Sequence, residues 1–133
     1  MSGKTYRILL VDDDESTVTV IQHLLSRAPF SVDTVLTSDA EAAEQLLHKE
    51  KFDALILDLL LPGMNGGELL SKLNEDPAFK NFPVLVNSVV WDQHGPANNY
   101  RTQKNLRIDV VPRPFDPVEL IKKIQELLSI QLP

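Results

Sequence analysis

Three consecutive acids, Asp12-Asp13-Asp14, follow the apolar run Ile8 to Val11, and a further acid, Asp58, follows the apolar run Ala54 to Leu57. A hydroxyl, Ser88, closes a third run that starts at Pro83, and a cation, Arg113, lies just past a fourth, Ile108 to Val111. Carboxylates crowded together repel and raise one another's pKa unless a cation intervenes. Magnesium suits that role, since it takes one or two carboxylates, several waters and phosphate oxygens. An aspartate oxygen can also accept a phosphoryl group and form an acyl phosphate. A metal, a hydroxyl donor and a guanidinium would then neutralise charge on the group in transfer. Each residue alone has a plainer reading. Acids ahead of a helix often only cap it, a serine at a strand end is common, and an arginine between two prolines can be an ordinary surface residue. Asp58 is harder to dismiss. It stands between four apolar residues and three leucines, so it should be buried, where a lone acid is costly.

The elements that must position these residues alternate along the chain. Ile8–Val11 and Ala54–Leu57 are continuous apolar runs, as expected of strands buried on both faces. Val32 to Thr37 is a less apolar strand suited to an edge. Pro83 to Ser88 and Ile108 to Val111 are the fourth and fifth strands. Between them, Val18, Ile21, Leu24 and Leu25 share one side of a helix that stops near Pro29. Ser38-Asp39-Ala40-Glu41 is a capping-box pattern ahead of a second helix through Leu46 and Leu47. Glu68 to Leu73 forms a short third helix after the Pro- and Gly-rich segment Leu61 to Gly67. The polar, weakly periodic stretch Trp91 to Arg107 is expected to hold another helix. Asp116-Pro117-Val118-Glu119 starts the last one, which runs through Leu120, Ile121, Ile124, Leu127 and Leu128.

A βα unit repeated about five times implies a parallel sheet with helices on both faces and right-handed crossovers. Ligands of such sheets bind beyond the carboxyl ends of the strands, where strand order reverses. If the first, third and fourth strands are neighbours, Asp12, Asp13, Asp58, Ser88 and Arg113 converge on one cleft. Their joint placement at strand ends carries more weight than any one of them.

Composition narrows the function further. The chain has 133 residues, 43% of them apolar and 24% charged, with 13 basic and 19 acidic residues for a net charge of −6. This is one domain's length, with enough apolar content for a core. The acidic balance gives no basic surface for direct nucleic-acid binding. Cysteine is absent, which excludes disulfides, thiolate metal sites and a thiol nucleophile. No apolar run approaches the ~18 residues of a membrane span, and the N-terminus MSGKTYR lacks a secretory apolar segment, so the cytoplasm is the expected compartment. His23, His48 and His94 are scattered without ligand spacing. Lys4 and Lys51 lie in no glycine-rich phosphate loop, and Gly63, Gly66 and Gly67 follow the wrong strand for a dinucleotide fingerprint.

Three segments, Ile8 to Asp14, Asp53 to Gly66 and Pro112-Arg-Pro-Phe115, resemble the receiver domain of two-component response regulators, in the right order and across nearly the whole chain. The resemblance implies a flavodoxin-like doubly wound (βα)5 fold with a five-stranded parallel sheet in the order 2-1-3-4-5. It implies a single receiver domain over residues 1–133, with its core at about 6–129 and no output domain in this chain. Asp58 matches the phosphoacceptor, Asp12 and Asp13 the acidic pair that holds Mg2+, and the backbone carbonyl of Leu60 a main-chain metal ligand. Asp13 and Asp58 would be the direct side-chain ligands. Ser88 matches the hydroxyl residue that contacts the phosphoryl group. The implied partners are a sensor histidine kinase or phosphotransfer protein as donor and a downstream protein that reads the phosphorylated conformation. The implied role is that of a switch, not a turnover enzyme.

The chain also departs from the family pattern. Arg113 stands where the family has a near-universal lysine, and a planar guanidinium does not substitute for a compact ammonium. Val110 occupies the position of the aromatic switch residue. Val89 is larger than the small residue usual after the hydroxyl position. The region from Ser88 to Arg113, part of the family's output face, is rich in Asn and basic residues. Two alternatives therefore stay open: a degenerate receiver that binds partners without phosphorylation, and a small haloacid-dehalogenase-like phosphatase using Asp12-x-Asp14. The latter lacks a later acid pair to complete its metal site.

Overall fold

The computed structural model describes residues 4–58, 66–88, 105–112 and 115–130. Its strands are β1 (Thr5–Val11), β2 (Ser31–Thr37), β3 (Ala54–Leu57), β4 (Pro83–Ser88) and β5 (Arg107–Pro112). Its helices are α1 (Glu15–Ser26), α2 (Ala40–Lys49), α3 (Gly66–Glu75) and, after β5, α4 (Pro117–Leu127), with one 3-10 turn at Pro77–Phe79.

All neighbouring strands are parallel, in the order β2-β1-β3-β4-β5. The register puts Val11 beside Leu57 and Leu57 beside Val86, so the carboxyl ends of β1, β3 and β4 lie side by side. This is the strand order that the resemblance implies, and it makes the first, third and fourth strands neighbours. β3 is buried at all four positions because both its neighbours and both sheet faces are covered. Among the described residues β2 has a single strand neighbour, and it keeps a partly exposed pattern, as an edge strand does.

Side chains alternate across the sheet, and two cores result. On one face Leu9, Val11, Leu55, Leu57, Val84, Val86 and Val110 pack with Ala43 and Leu47 of α2 and Leu69, Leu70 and Leu73 of α3. On the other, Ile8, Leu10, Ile56, Leu85 and Val111 pack with Ile21 and Leu25 of α1 and Leu120, Ile124 and Leu127 of α4.

Local chemistry sets the helix starts. The Asp116 carboxylate accepts a hydrogen bond from the Val118 N–H at 3.0 Å, with Pro117 in the first turn, as predicted. At α2 the cap is Asp39, one residue later than a capping box led by Ser38 would place it. Its carboxylate accepts from the Ala42 N–H at 2.7 Å, a charge-assisted bond that outcompetes a hydroxyl. α3 is longer than expected because Gly66 and Gly67 are themselves buried within its first turn. The helix expected within Trp91 to Arg107 falls mostly outside the described residues. Its last position, Arg107, is instead the first residue of β5, where it pairs with Pro83.

Candidate functional site

The ladder between strands continues one residue past β1 and β3. The Asp12 N–H donates to the Thr37 carbonyl at 3.2 Å, and the Asp58 N–H donates to the Val11 carbonyl at 3.0 Å. These bonds fix both aspartates at the carboxyl edge of the sheet, one step beyond the apolar runs. Both are buried, at 4% exposure each. Asp13, beside Asp12, is exposed. Asp12, Asp13 and Asp58 each offer a carboxylate oxygen, and these oxygens lie within 4.8 Å of one another. The structure thus brings these three acids together.

The acid run after β1 is divided between two tasks. Asp14 is the N-cap of α1: its carboxylate accepts from the Ser16 N–H at 3.1 Å and from the Thr17 hydroxyl at 2.8 Å. The capping reading is therefore correct for Asp14 and not for its two predecessors. Asp12 also helps to shape this turn, since its Oδ1 accepts from the Asp14 N–H at 2.9 Å. The Asp14 carboxylate thus serves the helix start, and the acid cluster found among the described residues comprises Asp12, Asp13 and Asp58.

The cluster suits a hard divalent cation in donor chemistry and in span. All three donors are carboxylate oxygens, two of them buried. Magnesium–oxygen bonds of about 2.0–2.1 Å put opposite ligands on one ion about 4.2 Å apart. The three carboxylate oxygens lie within 4.8 Å of one another, close to that span. Next to the cluster, Asp12, Asp13, Glu15, Val18, Thr19, Leu36, Thr37 and Ser38 line an open depression of about 560 Å3.

Ser88 ends β4 at the same edge, with its backbone beside Pro112. The positions of Leu60 and Arg113, and of Val89, lie outside the described residues. Val110 is 2% exposed and belongs to the core on the α2–α3 face.

One polar residue here is, from the sequence alone, simply part of a strand. Asn87 is 1% exposed, and among the described residues neither its Oδ1 nor its Nδ2 has a hydrogen-bond partner. The signal in the sequence was a carboxamide inside the otherwise apolar run of β4, at the same parity as Leu85.

Comparison with known proteins agrees with the fold. The family described as "Response regulator receiver domain" matches residues 8–125. The regulatory protein VanRB of Enterococcus faecalis is 30% identical over 122 residues, which is 92% of this chain and 52% of that protein. The phosphate regulon transcriptional regulatory protein PhoB of Rhizobium meliloti is 30% identical over 127 residues, 96% of this chain and 54% of that protein. The chain thus spans about half the length of these relatives. Among solved structures, the phosphorylated cyanobacterial phytochrome response regulator RcpA is 25% identical, with a TM-score of 0.77 over 98% of this chain and 99% of that one.

Proposed function

The chain belongs to the response regulator receiver domain family of two-component systems, and on that premise we propose that it takes a phosphoryl group onto Asp58 with the help of Mg2+. The observation that carries this reading is the cluster itself: Asp58, buried at a strand end, shares a 4.8 Å neighbourhood with Asp12 and Asp13. Asp13 and Asp58 would hold the metal directly, with Asp12 beside them and the Leu60 carbonyl as a main-chain ligand. When bound, the cation neutralises the carboxylates and charge on the transferring phosphoryl oxygens.

In the proposed reaction an Asp58 carboxylate oxygen attacks the phosphorus of a phosphohistidine on a sensor kinase or phosphotransfer protein. The P–N bond breaks, the electron pair leaves with the imidazole, which takes up a proton, and an acyl phosphate forms. Ser88, at the end of β4, would donate its hydroxyl to a phosphoryl oxygen. Arg113 would supply positive charge from the segment after β5. The added charge and acceptor oxygens then shift the domain between two pre-existing conformations, one of which a downstream protein reads. The chain acts in this scheme as a switch that is loaded and cleared, not as a turnover enzyme. Its net charge of −6 argues against this segment contacting nucleic acid itself. Among the described residues no helix is long and apolar enough to cross a membrane, consistent with work in the cytoplasm beside a kinase.

Incubation with Mg2+ and acetyl phosphate or phosphoramidate, followed by intact mass and peptide mapping, tests the reading. One phosphate on Asp58, lost in Asp58→Asn, is the expected result; modification elsewhere, or none, refutes it. Val110 favours a second reading. Buried among aliphatic neighbours, it offers no ring to swing with the hydroxyl residue, so the same surface could serve partners without a phosphorylation-driven switch. A partner that binds wild type and Asp58→Asn equally well, whether or not a phosphoryl donor is present, would support that reading.

A further inference from the structure

Strand β4 carries a buried carboxamide where its neighbours carry aliphatic side chains. Val84, Leu85 and Val86 are all fully buried, and Asn87 continues the run at 1% exposure. Buried polar groups in proteins are almost always paired, and one that is not calls for an explanation. Here both the donor and the acceptor of the same side chain are without a partner among the described residues.

The sheet register says what lies beside it. Leu57 pairs with Val86, and the next step along both strands sets Asp58 beside Asn87. Val11 pairs with Leu57, and the next step there sets Asp12 beside Asp58. Alternation assigns all three to one face: Asp12 follows Leu10, Asp58 follows Ile56 and Asn87 follows Leu85 at intervals of two, and those three apolar residues share the α1–α4 core. Asp12, Asp58 and Asn87 therefore form one polar row across three adjacent strands, at the carboxyl edge where the acid cluster sits.

The chemistry of the row identifies what Asn87 is suited to hold. A neighbouring carboxylate can accept from Nδ2, but it has nothing to donate to Oδ1. A water bound to a divalent cation has its lone pair directed at the metal and donates strongly, so it suits Oδ1. A carboxamide placed between a carboxylate and a cation-bound water is satisfied at both ends. We propose that Asn87 is a positioning residue of the cation site, donating from Nδ2 to the acid row and accepting at Oδ1 from a water on the bound ion. This rests on the Mg2+ reading above and adds to it a residue outside the expected ligand set. Groups that orient ligands without touching the metal commonly change affinity 10–100-fold when removed.

The pair Asn87→Val and Asn87→Thr gives a clean contrast, because the two replacements have the same shape and only threonine keeps a donor and an acceptor. Mg2+ affinity is measured on the whole chain by calorimetric titration, and thermal unfolding is followed in EDTA. Asn87→Val is expected to bind Mg2+ at least tenfold more weakly than wild type while melting higher without metal, because an unpaired polar group leaves the core. Asn87→Thr should bind within about threefold of wild type. If Asn87→Val does not fold, Asn87→Ala against Asn87→Thr makes the same comparison. Equal Mg2+ affinity in wild type and the apolar variant overturns the proposal. Asp13→Asn separates the two levels: if wild type binds Mg2+ and Asp13→Asn does not, yet the apolar Asn87 variant is unaffected, only this inference fails. If wild type binds no Mg2+, the inference and the reading it rests on fail together.

Discussion

Replacing Asp58 by asparagine takes one charge out of the acid row while keeping the side chain's shape. Asp12 and Asp58 are each 4% exposed, and their nearest carboxylate oxygens lie within 4.8 Å. Two unit charges at that distance repel by about 3.5 kcal/mol at an effective dielectric of about 20, and by about 0.9 kcal/mol in bulk water. The cluster opens to solvent at the exposed Asp13, so the lower half of that range applies. Asp58→Asn is therefore expected to stabilise the metal-free chain by about 1–2 kcal/mol, raising Tm by roughly 3–10 °C for a domain of this size. Mg2+ reverses the ranking. At a hundred times its Kd, a ligand bound only by the native state adds about 2.7 kcal/mol, more than the variant's advantage, and wild type gains this while Asp58→Asn does not. Differential scanning calorimetry of both proteins, in EDTA and in a Mg2+ series, reads the crossover directly. A variant that melts no higher than wild type in EDTA, or that gains as much from Mg2+, would show that the three acids neither repel nor share an ion.

Other outcomes follow from single residues. Asp14→Ala removes the α1 cap and should cost about 1 kcal/mol in urea unfolding, yet leave acetyl-phosphate labelling of Asp58 intact; loss of labelling with the fold preserved would return Asp14 to the chemistry. Leu70→Ala, at a fully buried position between α3 and the sheet, should lower stability by about 2–5 kcal/mol, measured from the denaturant midpoint at unchanged slope. Arg113→Lys should be phosphorylated faster by a small-molecule donor, because a compact ammonium on a flexible stem adapts to a phosphoryl group in transfer more readily than a bulkier planar guanidinium; equal rates by phosphate-sensitive gel would mean the substitution is neutral.

The helix-start chemistry shows where reading along the chain stops being sufficient. Four acids, Asp14, Asp39, Asp76 and Asp116, accept a nearby backbone N–H and cap a helix or turn. Asp116 was evident from the proline and acid after it. Asp39 displaced the expected Ser38 because both can reach the first free N–H groups and the charged acceptor binds them better. The 3-10 turn at Pro77–Phe79 had no periodic signal, since three residues are too few to show one.

The order of elements, the two-sided burial of β1 and β3, and the arrival of an acid at the end of each were all contained in the sequence, because hydrophobic period and run length are local properties of the chain. Which acid of Asp12-Asp13-Asp14 turns toward Asp58 and which toward a helix was not, since one carboxylate's choice of partner depends on groups brought near it by folding. Asn87 is the sharpest case. Its own segment marks it as one polar residue in a buried strand; only the parallel register, which sets residues from three distant parts of the chain in one row, makes it a neighbour of the acids.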